Sequence, residues 1–77
     1  MFEEIRSVMV ESLSVKEDEV TLDANLRDDL GIDSLDAAEL VMELEDQFSL
    51  KIEEAEAAKF VLVKDIVNFI ENAQKTT

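Results

Sequence analysis

Ser34 lies between Asp33 and Leu35-Asp36, and Asp28 and Asp29 precede it by a few residues. A serine at the mouth of a helix has an accessible hydroxyl close to the positive end of the helix dipole. The same hydroxyl is poorly equipped to attack anything. The chain has no His and no Cys, so there is neither an imidazole base to activate Ser34 nor a thiolate to replace it. On position alone, Ser34 or Asp33 reads as a plain N-cap worth about 0.5–2 kcal/mol. The four aspartates raise a second chemistry, calcium binding, but their spacing opposes it. Counted from Asp29, the third and sixth positions of an EF-hand loop fall on Gly31 and Ser34, where an acid and a glycine are needed. Loose divalent association that relieves charge repulsion is what these carboxylates support, with no metal site among them.

These residues must be positioned by a small domain. The chain has 77 residues, 47% hydrophobic and 35% charged, which is too apolar for a disordered tail and too short for two domains, so one domain over 1–77 is expected. No apolar run approaches the ~20 residues needed to span a bilayer. With no Pro, one Gly and no Tyr or Trp, strands and hairpins lack their usual residues and an all-α fold is predicted. Twenty acidic residues against seven basic ones give a net charge of −13. That charge repels nucleic acid and anionic membranes, disfavours self-association and attracts basic protein partners. The acidic start, Met1-Phe2-Glu3-Glu4, is unlike a secretory or transit peptide and makes cytoplasm the expected compartment.

Helical spacing of Phe2, Ile5, Val8 and Met9 predicts a first helix over Phe2 to Leu13. A long connection from Ser14 to Asp33 follows. It carries Val15, Val20, Leu22, Leu26, Leu30 and Ile32, so it is expected to pack onto the core with a short helical turn in it. Thr21, Asp23 and Asn25 suit turns and caps, and Gly31 suits the tight entry to the next helix. A second helix is predicted to run to Phe48, a short third one around Glu54 to Ala58, and a fourth from Val63 to Ala73 that buries Ile66, Val67, Phe69 and Ile70. Gln74 to Thr77 are expected to fray. The fold is thus a small four-helix bundle, three main helices and one short one, with a long first loop.

On an ideal wheel with Leu35 at zero, Ala37, Leu40, Val41, Leu44 and Phe48 fall within about 140° to 240°, the core face of the second helix. Leu35, Ala38 and Met42 form a second apolar stripe on the opposite side, edged by Asp36, Glu39, Glu43, Glu45 and Asp46. A four-helix domain has no core on both sides of one helix, so this stripe faces solvent, and such patches rimmed by charge often mark docking surfaces. Residues 23–56 carry twelve acids and two bases, −10 of the total −13. Like charges this dense destabilise the folded state, and steering of a basic partner is a use that would maintain them. An acidic adaptor without any prosthetic group would share all these features and have no need of Ser34.

The run Asp29-Leu30-Gly31-Ile32-Asp33-Ser34-Leu35-Asp36, with Glu19-Val20-Thr21 before it and Glu39 to Glu45 (ELVMELE) and Ile52-Glu53-Glu54-Ala55-Glu56 after it, resembles the acyl carrier proteins over nearly the whole chain. The resemblance implies a covalent 4′-phosphopantetheine on Ser34, attached by a phosphopantetheinyl transferase (a holo-ACP synthase), with Asp33, Leu35 and Asp36 completing the attachment motif. It implies acyl chains carried as thioesters on the arm, a carrier that is not itself an enzyme, and acyl-handling enzymes with basic surfaces docking on Leu35, Asp36, Ala38, Glu39, Met42, Glu43, Glu45 and Asp46. The stand-alone length and the DSLD box are more similar to a fatty-acid carrier than to a module of a synthase, while a free-standing polyketide carrier would look alike. Four positions depart from the family pattern: Ser14 stands where a glycine often follows the first helix, Ala37-Ala38 replaces a bulkier pair, and Glu53 stands where fatty-acid carriers commonly have proline. A mobile helical core of this kind is expected to part and shelter the acyl chain.

Overall fold

A computed structural model of the chain describes residues 1–75. Four helices appear in it, α1 Phe2–Leu13, α2 Ser34–Phe48, α3 Glu54–Ala57 and α4 Val63–Lys75, with one 3-10 turn at Glu17–Glu19 in the long first connection. Among the described residues there is no strand, only an isolated antiparallel bridge between Asn25 and Leu62. The all-α, four-helix reading holds, and the three long helices start and end within two residues of the predicted bounds. At the carboxyl end the helix outlasts the prediction: Gln74 and Lys75 continue α4. Thr76 and Thr77 lie outside the described residues.

One core joins all three long helices. Ile5 and Met9 of α1, Leu44 of α2, and Val63, Ile66 and Ile70 of α4 have no exposure at all. The first connection completes it, since Val20, Ala24, Leu26 and Ile32 are buried with them. Leu22 departs from expectation: it is 45% exposed, and this stretch is held by its backbone instead, through the Lys64 N–H bond to the Leu22 carbonyl at 3.0 Å. Two further bonds, Val63 N–H to the Ala24 carbonyl at 3.0 Å and Leu26 N–H to the Val61 carbonyl at 2.9 Å, stitch the connection to the start of α4. Asn25 supplies the turn chemistry its type predicts, its Oδ1 accepting from the Arg27 and Asp28 N–H groups at 3.0 and 2.9 Å. Gly31 has φ 66°, in the left-handed region open to a residue without Cβ.

Ser14 ends α1 in that same left-handed region, at φ 57°, ψ 29°. A side chain there costs about 1 kcal/mol that glycine avoids. Ser14→Gly is therefore expected to raise the melting temperature by roughly 4–8 °C for a domain of this size, checked by thermal unfolding; a lower midpoint would show that Ser14 makes a compensating interaction. Glu53 has φ −69°, close to the angle proline imposes, so the departure at this position leaves the backbone in the shape proline would give.

Candidate functional site

Asp33, not Ser34, caps α2. The Asp33 carboxylate accepts from the Asp36 N–H at 2.8 Å, and the Asp36 carboxylate reaches back to the Asp33 N–H at 3.4 Å, a reciprocal capping box. The sequence left the cap open between two residues, and assigning it to Asp33 changes what Ser34 is for. Ser34 becomes the first residue of the helix, exposed, with no hydrogen bond to its hydroxyl among the described residues. The first intrahelical donor is Ala37, to the Asp33 carbonyl at 2.9 Å. The N–H groups of Ser34 and Leu35 at the helix mouth therefore have no protein acceptor, which is the arrangement that favours a phosphate.

Beside Ser34 opens a cavity of about 830 Å³ between the first connection, α2 and α3. Its walls are mainly apolar: Leu26 and Ile32 from the connection, Leu40 and Val41 from α2, Ile52 and Ala57 from the α3 side, Phe60 and Ile66 behind. Asp33, Ser34 and the exposed Ala38 and Met42 line it as well, so the hydroxyl and the cavity share an opening. Of the predicted core stripe Leu40 and Leu44 are buried, whereas Ala37, Val41 and Phe48 are half-buried and packed against the core, and Ala37, Leu40 and Val41 also line the cavity. A periodic pattern marks which side of a helix turns inward and is silent on whether that side meets neighbours or a void.

The opposite stripe is where the spacing placed it. Leu35 is 80% and Met42 67% exposed, with Ala38, Glu39, Glu43 and Asp46 exposed beside them. Two acids of the predicted docking set are engaged within the chain. Asp36 is half-buried in the capping box, and Glu45 is half-buried with its Oε2 accepting from the Ile52 N–H at 2.7 Å. Sequence reasoning missed the Glu45 bond, which spans seven residues and depends on how the chain turns after α2. Among the described residues no three His, Cys, Asp or Glu side chains converge on a metal-sized site.

Asp65, outside any predicted site, closes the far end of the α3 segment. Its carboxylate accepts from the Leu62 and Val61 N–H groups at 2.9 and 3.0 Å. These two bonds hold its pKa below the ordinary 3.8, with partial desolvation opposing and the Lys64 ammonium adding a smaller lowering. A carboxyl whose pKa is lower folded than unfolded contributes stability above the unfolded value and loses it as pH falls through the folded one. The melting temperatures of the parent and Asp65→Ala are thus expected to differ most near pH 7 and to converge below about pH 4. A gap that stayed constant across thermal scans from pH 7 to 3 would remove the carboxylate from the account.

A family model described as the phosphopantetheine attachment site matches residues 3–70. The chain is also 51% identical over 75 residues to an acyl carrier protein of Campylobacter hominis, covering 97% of this chain and 95% of that protein. Acyl carrier proteins of Campylobacter lari and Campylobacter concisus are each 48% identical, with 97% of both chains covered. A freed serine at a helix mouth beside an apolar cavity, and likeness running the length of the chain, lead to one conclusion: the chain belongs to the acyl carrier proteins, the family built around a phosphopantetheine attachment site.

Proposed function

We propose that Ser34 is the attachment point of the 4′-phosphopantetheine of this acyl carrier protein, and that the loaded carrier serves the enzymes of fatty acid biosynthesis. The observation that carries the assignment is the capping box: Asp33 and Asp36 satisfy the helix end, leaving the Ser34 hydroxyl with no structural task. When bound through a phosphodiester, the group supplies the thiol this Cys-free chain lacks, on which acyl chains are held as thioesters. Ser34 Oγ and the open N–H groups of Ser34 and Leu35 would hold the phosphate, the helix dipole offsetting part of its charge. The Ser34 proton must leave to a base brought by the transferase, since no carboxylate among the described residues is hydrogen-bonded to the hydroxyl. The same want of a base and of an activated nucleophile supports a carrier that catalyses nothing itself.

The exposed stripe of Leu35, Ala38 and Met42, with Glu39, Glu43 and Asp46 along it, supports docking of the transferase and of acyl-handling enzymes through basic surfaces. The cavity beside Ser34 supports sheltering of the acyl chain between α2 and α3. A single carrier domain over 1–77 is supported by the one contiguous core, and no helix among the described residues is long and apolar enough to cross a membrane. The fatty-acid assignment rests on end-to-end likeness to short proteins named simply acyl carrier protein. The test is an intact mass after incubation with coenzyme A and a broad-specificity phosphopantetheinyl transferase, where the parent is expected to gain one phosphopantetheine. A parent that arrives unmodified and gains nothing would be an acidic adaptor instead.

A further inference from the structure

The wall of the cavity opposite α2 is a weak one. Helix α3 has four residues and no side-chain cap, far below the roughly 12 residues at which a helix begins to persist unaided. Its place is therefore set by what holds its two ends. At the carboxyl end the anchor is Asp65 on the Val61 and Leu62 N–H groups, with Phe60 set edge-on to Phe69 at 5.6 Å. At the amino end the anchoring hydrogen bonds come from one residue of α2. The Glu45 carbonyl accepts from the Ser49 and Leu50 N–H groups, and the Glu45 carboxylate accepts from the Ile52 N–H at 2.7 Å. Ile52 is 5% exposed and lines the cavity two residues before α3. Its place depends on the course of residues 49–53, which leave α2 through Ser49 in the left-handed conformation.

We propose that Glu45 is a positioning residue of the acyl site and not one of its docking acids: through the Ile52 N–H it holds the α3 wall of the cavity in place. The inference rests on the reading of the cavity as the shelter for the acyl chain. It separates two properties of Glu45 that a docking role would not. A docking acid acts through its charge, so a shorter carboxylate serves and a neutral amide does not. An anchor acts through reach, so Gln, whose carbonyl oxygen sits where Oε2 does, serves, and Asp, one methylene shorter, does not.

Amide hydrogen exchange on the protein without its arm tests the anchor. In Glu45→Asp the amides of Ile52, Ala57 and Ala58 are expected to exchange about tenfold faster than in the parent, as loss of a charge-assisted hydrogen bond implies, while Ile66 and Ile70 in α4 stay unchanged. In Glu45→Gln the same amides are expected within about threefold of the parent, a neutral acceptor being somewhat weaker. Unchanged exchange at Ala57 and Ala58 in Glu45→Asp, or faster exchange in Glu45→Gln than in Glu45→Asp, overturns the anchor whatever the cavity holds. Hydroxylamine cleavage of an octanoyl thioester on the loaded proteins tests the shelter, and is expected to run faster in Glu45→Asp than in the parent or Glu45→Gln. Loosened α3 amides with equal cleavage rates would overturn the shelter reading, and with it the role given to Glu45.

Discussion

Ser34→Ala is expected to gain no mass with coenzyme A and transferase while melting with the parent. Modification is all-or-none because only one hydroxyl sits at this helix mouth. Stability is a separate matter: an exposed side chain without hydrogen bonds is worth no more than about 0.5 kcal/mol either way, a few degrees at most in a chain of 77 residues. Asp33→Ala has the other profile. It removes the acceptor for the Asp36 N–H, a loss of about 1 kcal/mol and roughly 4–8 °C. The pair separates the two jobs that position alone confuses. Were Ser34 a cap, its replacement would cost what Asp33 costs, and modification of Ser34→Ala at the parent's rate would move the attachment point elsewhere.

How much of this was legible beforehand depends on the range of the interaction. Helix bounds were, because they follow from periodicity, from Gly31 ahead of the second helix and from cap types within a few residues of each end. The exposed stripe was too, since Leu35, Ala38 and Met42 cannot share a face with Leu40 and Leu44. The burial of Val20, Leu26 and Ile32 followed from their number in a stretch too apolar for a free loop, but Leu22 broke the pattern, because a backbone bond to Lys64 fixes it without burying it. The cavity was not legible. Ala37 and Val41 read as ordinary core, and they do pack against it, but they also line the cavity. Glu45 and Asp65 were illegible too: each carboxylate finds backbone donors whose position is set by the tertiary course of residues 49–62.

Reversing the charge of Glu39 and Glu43 together should lower kcat/KM for the transferase about 10- to 100-fold at low salt, since complementary charge raises association over neutral surfaces by factors of this order or more. Both side chains are exposed and make no ion pair among the described residues, so Glu39→Lys/Glu43→Lys leaves the core untouched and its effect falls on encounter. Net charge moves from −13 by the same amount in Glu11→Lys/Glu71→Lys, whose sites lie on α1 and α4, and this control is expected to lose clearly less than the α2 pair, because steering by charge weakens with distance from the contact and is screened by salt. Raising ionic strength should narrow the gap between the two variants for the same reason. Equal losses in both would mean that partners feel the total charge and not the α2 face, and the assignment of docking to the stripe beside Leu35 and Met42 would fall. If only the α2 pair responds, the dense acids of residues 23–56 have their reason. They cost the fold repulsion, and they place an attractive field around the Ser34 hydroxyl proposed to take the arm.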